Sequence, residues 1–369
     1  MIVFALIFCG ALLAEASAGK LETLTERANQ GDADAQFQLG VAYEDGDGVP
    51  KDAKTSFQWY LMAAVLGAPA AQLKVGCAYG QGLGVEADWG RALDWFTRAA
   101  EQGNRASQRM LGVIYEEGEI VPRDTEEAAK WFRKAAQQGD QYSQTALGRI
   151  VGAKEKSSRE EDVEAVGLLR KSAERGDANA QCNLGMCYDK GVGVAQDKAE
   201  AAQWYRKAAA QGNVEAQFNL ALCYRSGGGV TQNYKEAALW FRKAADQGDM
   251  QAQYNLSLCY SEGKGVTKDD SEFAKWTARA AEQGLVEAQY NLGTCYHRGV
   301  GVPQDFGKAH MWLTVAEASG QIASAAEWRE KAAANLSPDE LSAARLAAEK
   351  LLAFIGSKKS AENAAIINE

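Results

Sequence analysis

Asp177-Ala-Asn-Ala-Gln-Cys-Asn-Leu184-Gly185-Met-Cys-Tyr188-Asp-Lys-Gly191-Val-Gly193-Val194-Ala-Gln-Asp197-Lys-Ala-Glu-Ala-Ala-Gln-Trp204-Tyr205-Arg-Lys-Ala208-Ala209-Ala-Gln-Gly212 carries two helical patterns and a turn between them. Ala180, Leu184 and Tyr188 stand four apart and form one apolar stripe. Ala201, Trp204, Tyr205, Ala208 and Ala209 follow the i, i+3, i+4, i+7, i+8 rule and form a second. Gly191 supplies a left-handed C′ position that ends the first helix, here helix A. Asp197 is an N-cap for helix B, and Glu200 three residues on predicts a capping box. The final Gly212 ends helix B.

That final glycine recurs at Gly31, Gly67, Gly103, Gly139, Gly176, Gly212, Gly248, Gly284 and Gly320, every 36 residues except for one interval of 37 between Gly139 and Gly176. A fixed period of this length marks a stacked array of identical supersecondary units. The helix A tyrosine returns as Tyr43, Tyr79, Tyr115, Tyr224, Tyr260 and Tyr296. The helix B tryptophan returns as Trp59, Trp95, Trp131, Trp240, Trp276 and Trp312. Capping boxes are predicted again at Asp124/Glu127, Asn233/Glu236 and Asp269/Glu272. The fold class is therefore all-α, an array of antiparallel helix pairs.

The register Ala180-Gln181-Cys-Asn-Leu184-Gly185 through Trp204-Tyr205-Arg-Lys207-Ala208-Ala209-Ala-Gln211-Gly212 resembles the Sel-one-like repeat, a branch of the tetratricopeptide-like superfamily. The resemblance covers eight units from Ala28 to Gly320. It implies a right-handed superhelical solenoid and a scaffold or adaptor role, with no catalytic residues. By the same analogy, groove-lining positions of helix A include Phe218, Leu222, Arg225, Tyr254, Leu258, Glu262, Tyr290, His297 and Arg298. Phe218, Tyr254 and Tyr290 stand one unit apart, where the first four units have Phe37, Leu73, Arg109 and Thr145. An aromatic groove of mixed charge suits an extended or helical peptide. Packing between units is the alternative use of the same three rings.

The fourth unit breaks the pattern. Val151 replaces the tyrosine, Leu168 the tryptophan, and Lys154–Glu161 the glycine loop. It is expected to be the weakest junction of the array. Units five to eight share Asn183, Asn219, Asn255 and Asn291, each just before the helix A leucine, which suggests halves with different surfaces.

Residues 1–18 read as an export signal: Ile2–Leu13 is apolar, and Ala16-Ser17-Ala18 precedes a cleavage point at Gly19. The expected location is therefore periplasmic or secreted, with no membrane insertion after cleavage. Residues 19–320 hold the repeats, 321–357 two capping helices (the last over Leu341–Phe354), and 358–369 a structureless tail.

A formal charge of −9, without a basic stripe, argues against nucleic acid. The only histidines are His297 and His310, with no cysteine pair at ligand spacing, so neither metal nor cofactor is expected. No nucleophile stands beside a base, which weakens the competing reading of an exported hydrolase or binder of cell-wall fragments. Six cysteines follow the signal segment: Cys77, Cys182, Cys187, Cys223, Cys259 and Cys295. The last four occupy one repeat position. Stacked helices sit about 8–10 Å apart, too far for a disulfide, so free thiols are expected.

Overall fold

The computed structural model describes residues 21–154 and 159–368, and all regular structure among them is helical. The expected signal segment lies outside these residues. The chain divides into two compact units, Met1–Ile150 and Val151–Glu369. The division falls inside the irregular fourth repeat.

The N-terminal unit begins with α1 (residues 21–29). Then come α2 (Ala33–Asp45), α3 (Ala53–Val65), α4 (Pro69–Gln81), α5 (Trp89–Glu101), α6 (Arg105–Glu117), α7 (Thr125–Gln137) and α8 (Gln141–Gly152), the last crossing the boundary. The C-terminal unit continues with α9 (Glu160–Glu174), α10 (Ala178–Lys190), α11 (Lys198–Ala210), α12 (Val214–Ser226) and α13 (Tyr234–Asp246). It ends with α14 (Met250–Glu262), α15 (Asp270–Glu282), α16 (Val286–Arg298), α17 (Phe306–Glu317), α18 (Ser324–Ala333) and α19 (Pro338–Asn368). Within each unit, consecutive helices pack as a solenoid of helix pairs.

The caps explain where the helices start. Asp197 accepts from the backbone N–H groups of Ala199 and Glu200, and Asp52, Asp124, Asn233 and Asp269 cap their helices in the same way. The second half of the predicted capping box does not form. The N-cap's own N–H already donates to the helix A tyrosine carbonyl, as in Asp197 to Tyr188 at 2.9 Å. The carboxylates turn elsewhere: Glu200 and Glu272 accept from the indole N–H of Trp204 and Trp276, each at 2.9 Å. Glu127 pairs with Lys130. Ser337 and Glu340, outside the repeats, do form the reciprocal box.

In several repeats the deepest ring is the residue after the tryptophan, whereas in the seventh, where Thr277 follows, it is Trp276 itself. Phe96, Phe132 and Phe241 are among the most buried side chains, whereas Trp95 and Trp240 are half-buried. Each inner ring lies directly on a small helix A residue. A Cβ added to Gly76 would stand 2.6 Å from Phe96, and one added to Gly112 would stand 2.5 Å from Phe132. The tryptophans carry a cation from the next turn, Lys207 at 3.7 Å from the buried Trp204 and Lys243 at 3.8 Å from the half-buried Trp240.

A ladder of buried glutamines ties unit to unit. The helix A glutamine donates back to a helix B carbonyl of the preceding unit, as in Gln217 to Ala209 at 3.2 Å and Gln108 to Ala100 at 2.9 Å. Its own oxygen accepts from the glutamine at the end of the following helix B. Gln102–Gln72, Gln138–Gln108, Gln211–Gln181, Gln247–Gln217 and Gln283–Gln253 all lie at 2.8 Å. Buried amides must find partners, and these find them only in a neighbouring helix. α1 takes the place of a preceding helix B for the first repeat, since Ala28 O accepts from Gln36 at 3.0 Å. The next rung is missing: Leu66 occupies the donor position, and Gln36 Oε1 is buried without a partner among the described residues.

In the fourth repeat Val151 and Leu168 are buried, and Asp162, fully buried, is held by Lys154 at 2.7 Å and Arg159 at 3.3 Å. At the C-terminus the expected structureless tail is corrected, because α19 keeps its helical backbone to Asn368. That stretch contains the helix formers Lys358, Lys359, Ala361, Glu362, Ala364 and Ala365, and no proline interrupts it.

Candidate functional site

The sequence-predicted residues fall into two groups of the C-terminal unit. The first lies on α12 and α14. Phe218 and Leu222 are half-buried against the cluster around Phe241, with the Phe218 and Phe241 rings 5.8 Å apart. Arg225 is exposed; its guanidinium donates to Asn255 Oδ1 and lies 5.7 Å from the Phe241 ring. Leu258 and Glu262 join Arg225, Tyr234 and Asn255 around a cavity of about 240 Å³. Glu262 pairs with Lys264 at 2.7 Å, and Lys264 sits 5.8 Å from the Tyr234 ring.

Tyr254 lies between this group and the next. It packs with the cluster of Leu292 and Trp312 and remains half-buried. Its hydroxyl accepts from Asn291 Nδ2 at 3.0 Å, while burial pushes the phenol up from its ordinary range. Asn255 and Asn291 thus link successive A helices, a use for the asparagine position shared by units five to eight.

The second group meets the cap. Tyr290 packs with Leu313 and Trp328. His297 is half-buried between Phe306 and Trp328, with ring centroids 5.3 Å and 5.1 Å away, both edge-on. Burial, with Arg298 and Lys331 nearby, lowers its basicity. Arg298 stacks on the same indole at 4.6 Å. Trp328 of α18 therefore covers the end of the face on which His297 and Arg298 were expected to stand open. Trp328 lies past the last period-marking glycine, where the register that located the other residues has lapsed. Tyr234 was also missed, since the first residue of helix B varies among Ala53, Trp89, Thr125, Lys198, Tyr234, Asp270 and Phe306.

Chemically, this face offers half-buried rings flanked by an exposed guanidinium, carboxylate and ammonium, which is equipment for holding a chain. The six thiols are free. Burial pushes Cys223, Cys259 and Cys295 up to about 11 and Cys187 to about 12, which makes them weak nucleophiles at neutral pH. Among the described residues no cluster of three His, Cys, Asp or Glu side chains has metal-holding geometry, and no helix is long and apolar enough to cross a membrane.

The family model of the Sel1 repeat matches residues 33–67, 69–104, 105–140, 142–177, 178–213, 214–249, 251–285 and 286–321. Among solved structures, a Sel1 repeat protein from Oxalobacter formigenes is 36% identical, with a TM-score of 0.67, covering 84% of this chain and 89% of that one. A protective antigen of uropathogenic Escherichia coli strains, described as displaying an SLR fold, is 32% identical, with a TM-score of 0.42, covering 89% of this chain and 86% of that one. No curated protein matches. Sel1 repeat proteins generally act as protein-interaction scaffolds, and the fold is typically non-catalytic. With eight matched repeats spanning most of its length, the chain belongs to the Sel1 repeat family.

Proposed function

We propose that this protein is a non-catalytic scaffold that binds a protein or peptide along the α12–α14–α16 face. The observation that carries the reading is the cavity between Arg225, Leu258 and Glu262, with Phe218 and Tyr254 half-exposed beside it. Charged groups on a rim and part-buried rings are what an extended ligand needs for register and for affinity. Export belongs to the same proposal, on the strength of the apolar run Ile2–Leu13 and the Ala16-Ser17-Ala18 site.

The test is capture of partners by the full chain, read by mass spectrometry, followed by the variant Tyr254→Ala. A ring that anchors a ligand contributes about 2 kcal/mol or more, so affinity should fall at least tenfold while the fold survives. A lower melting temperature with unchanged affinity per folded molecule would assign Tyr254 to packing and remove this reading of the face. For export, a secreted chain that begins at Gly19 is the expected result, and retention of Met1 refutes it.

A further inference from the structure

The N-terminal unit holds a larger pocket at the same register. A cavity of about 570 Å³ opens between α2, α3 and α4, walled by Phe57, Tyr60, Leu73 and Cys77, with Leu83 exposed on its rim. Leu73 and Cys77 hold the repeat positions of Tyr254 and Leu258, so this is the counterpart of the 240 Å³ cavity. The first residue of helix B accounts for the difference in size. In three other units an aromatic ring closes this spot. The benzo edge of Trp89 lies against Gly80, where an added Cβ would stand 3.0 Å from it. Tyr234 lines the smaller cavity. Phe306 meets His297 edge-on at 5.3 Å. Thr125, Lys198 and Asp270 hold the position elsewhere. In the first unit it is Ala53, whose methyl group cannot reach across. Leu83 also replaces the cation found at Lys264, which turns the rim apolar.

Three charged side chains line the pocket, Glu44, Lys51 and Lys74. Glu44 is committed to Lys74 at 2.7 Å and to the Tyr60 hydroxyl. Lys51 also lines the pocket, is exposed, and has no ion-pair partner among the described residues. The charged lining is therefore two ammonium groups against one carboxylate, and it is complementary to an added negative charge.

We propose that the pocket between α2, α3 and α4 docks an aromatic side chain of a partner polypeptide with a carboxylate next to it, supplying in trans the ring that Trp89, Tyr234 and Phe306 supply in cis. The proposal rests on the scaffold reading only in taking the occupant to be part of a polypeptide. It places a second anchor point in the N-terminal unit, independent of Phe218 and Tyr254.

The test uses the full chain and N-acetyl-5-fluoro-tryptophan, followed by fluorine NMR. Saturable binding is expected. It should be lost in Ala53→Trp, which fills the pocket from within, weakened at least threefold in Lys51→Glu, and unchanged in Tyr254→Ala. The probe should also slow alkylation of Cys77 at least twofold relative to Cys223, and this readout needs no variant to fold. Absence of saturable binding, equal binding to Ala53→Trp, or unprotected Cys77 each overturns the proposal. Equal binding of the uncharged amide of the same probe overturns the carboxylate requirement. Because no natural partner takes part, failure to capture a protein on the α12–α14–α16 face leaves this measurement untouched, and the reverse also holds.

Discussion

Replacing Leu66 by glutamine should stabilise the N-terminal end of the array. Five rungs of the glutamine ladder place an amide donor thirty residues after the helix A glutamine, at 2.8 Å from its oxygen. In the first repeat that position is Leu66, and Gln36 Oε1 is left buried and unpaired among the described residues. A buried acceptor without a donor costs about 1–3 kcal/mol, so Leu66→Gln should recover about 2. Two terms oppose it. Leu66 is 56% exposed, so exchanging its remaining contact for the glutamine methylenes loses about 0.5 kcal/mol. Ordering the new side chain costs about 0.5 kcal/mol more. The net gain is about 1 kcal/mol. Global melting averages over an array whose stability is a sum of local terms, so the assay is amide hydrogen exchange in α2 and α3. There 1 kcal/mol appears as roughly fivefold slower exchange. The same substitution in a Gln36→Met background should give no gain, because the acceptor is gone. Unchanged or faster exchange in the single variant, or an equal gain in both backgrounds, would refute the missing-rung argument.

Two left-handed glycines should respond very differently to alanine. Gly212→Ala meets nothing within 4 Å and should cost only the backbone strain of about 1–2 kcal/mol, whereas in Gly229→Ala the new Cβ would stand 1.9 Å from Lys198 O, and urea unfolding should show about 3 kcal/mol or more. Phe241→Ala should cost about 3–5 kcal/mol and exceed Trp240→Ala on the same measurement, because the phenylalanine is the fully buried ring. His310 is 3% exposed, and burial first, then Arg329 and Arg345, lowers its proton affinity. The unfolded chain therefore binds the proton first, and stability should fall as pH drops below about 6.5 toward the lower folded value. Exchange in α17 should quicken over that window, and His310→Gln should flatten the dependence. Exchange should also be faster over residues 148–169 than in α12–α15, since the chain divides inside that repeat.

The period was legible because glycine is the one residue that accepts a left-handed C′ position without strain, so its spacing shows directly. The apolar stripes then located every helix from α2 to α17. Periodicity could not rank Trp240 against Phe241, since both satisfy the i, i+3, i+4 pattern. Only the small residue opposite, Ala221 here and Gly76 or Gly112 elsewhere, shows which ring goes in. The glutamine ladder was in plain view as the Ala-Gln or Ser-Gln and Gln-Gly pairs that most repeats carry. Yet a polar residue in an amphipathic pattern reads as solvent-facing, and its partner lies thirty residues away. The candidate face followed the same rule. Residues fixed by the register, such as Arg225, Leu258 and Glu262, come together as expected. His297 and Arg298 are met by Trp328, whose approach depends on how α18 docks after the repeat has ended.

The ladder also bears on how such a chain can change in length. Every rung joins residues at constant offsets, eight back to a carbonyl and thirty forward to an amide. Duplicating or deleting one whole repeat therefore leaves each remaining amide with a partner of the same kind. Inserting a single residue between the two ends of a rung would pull donor from acceptor. The one irregular interval, between Gly139 and Gly176, keeps both backward bonds, Gln144 to Ala136 and Gln181 to Ala173, and its extra residue falls in the unit where Arg175 stands before the final glycine in place of the donor glutamine. A gene for this architecture can thus grow in steps of a full period, with added repeats bringing fresh binding surface and no new folding problem to solve.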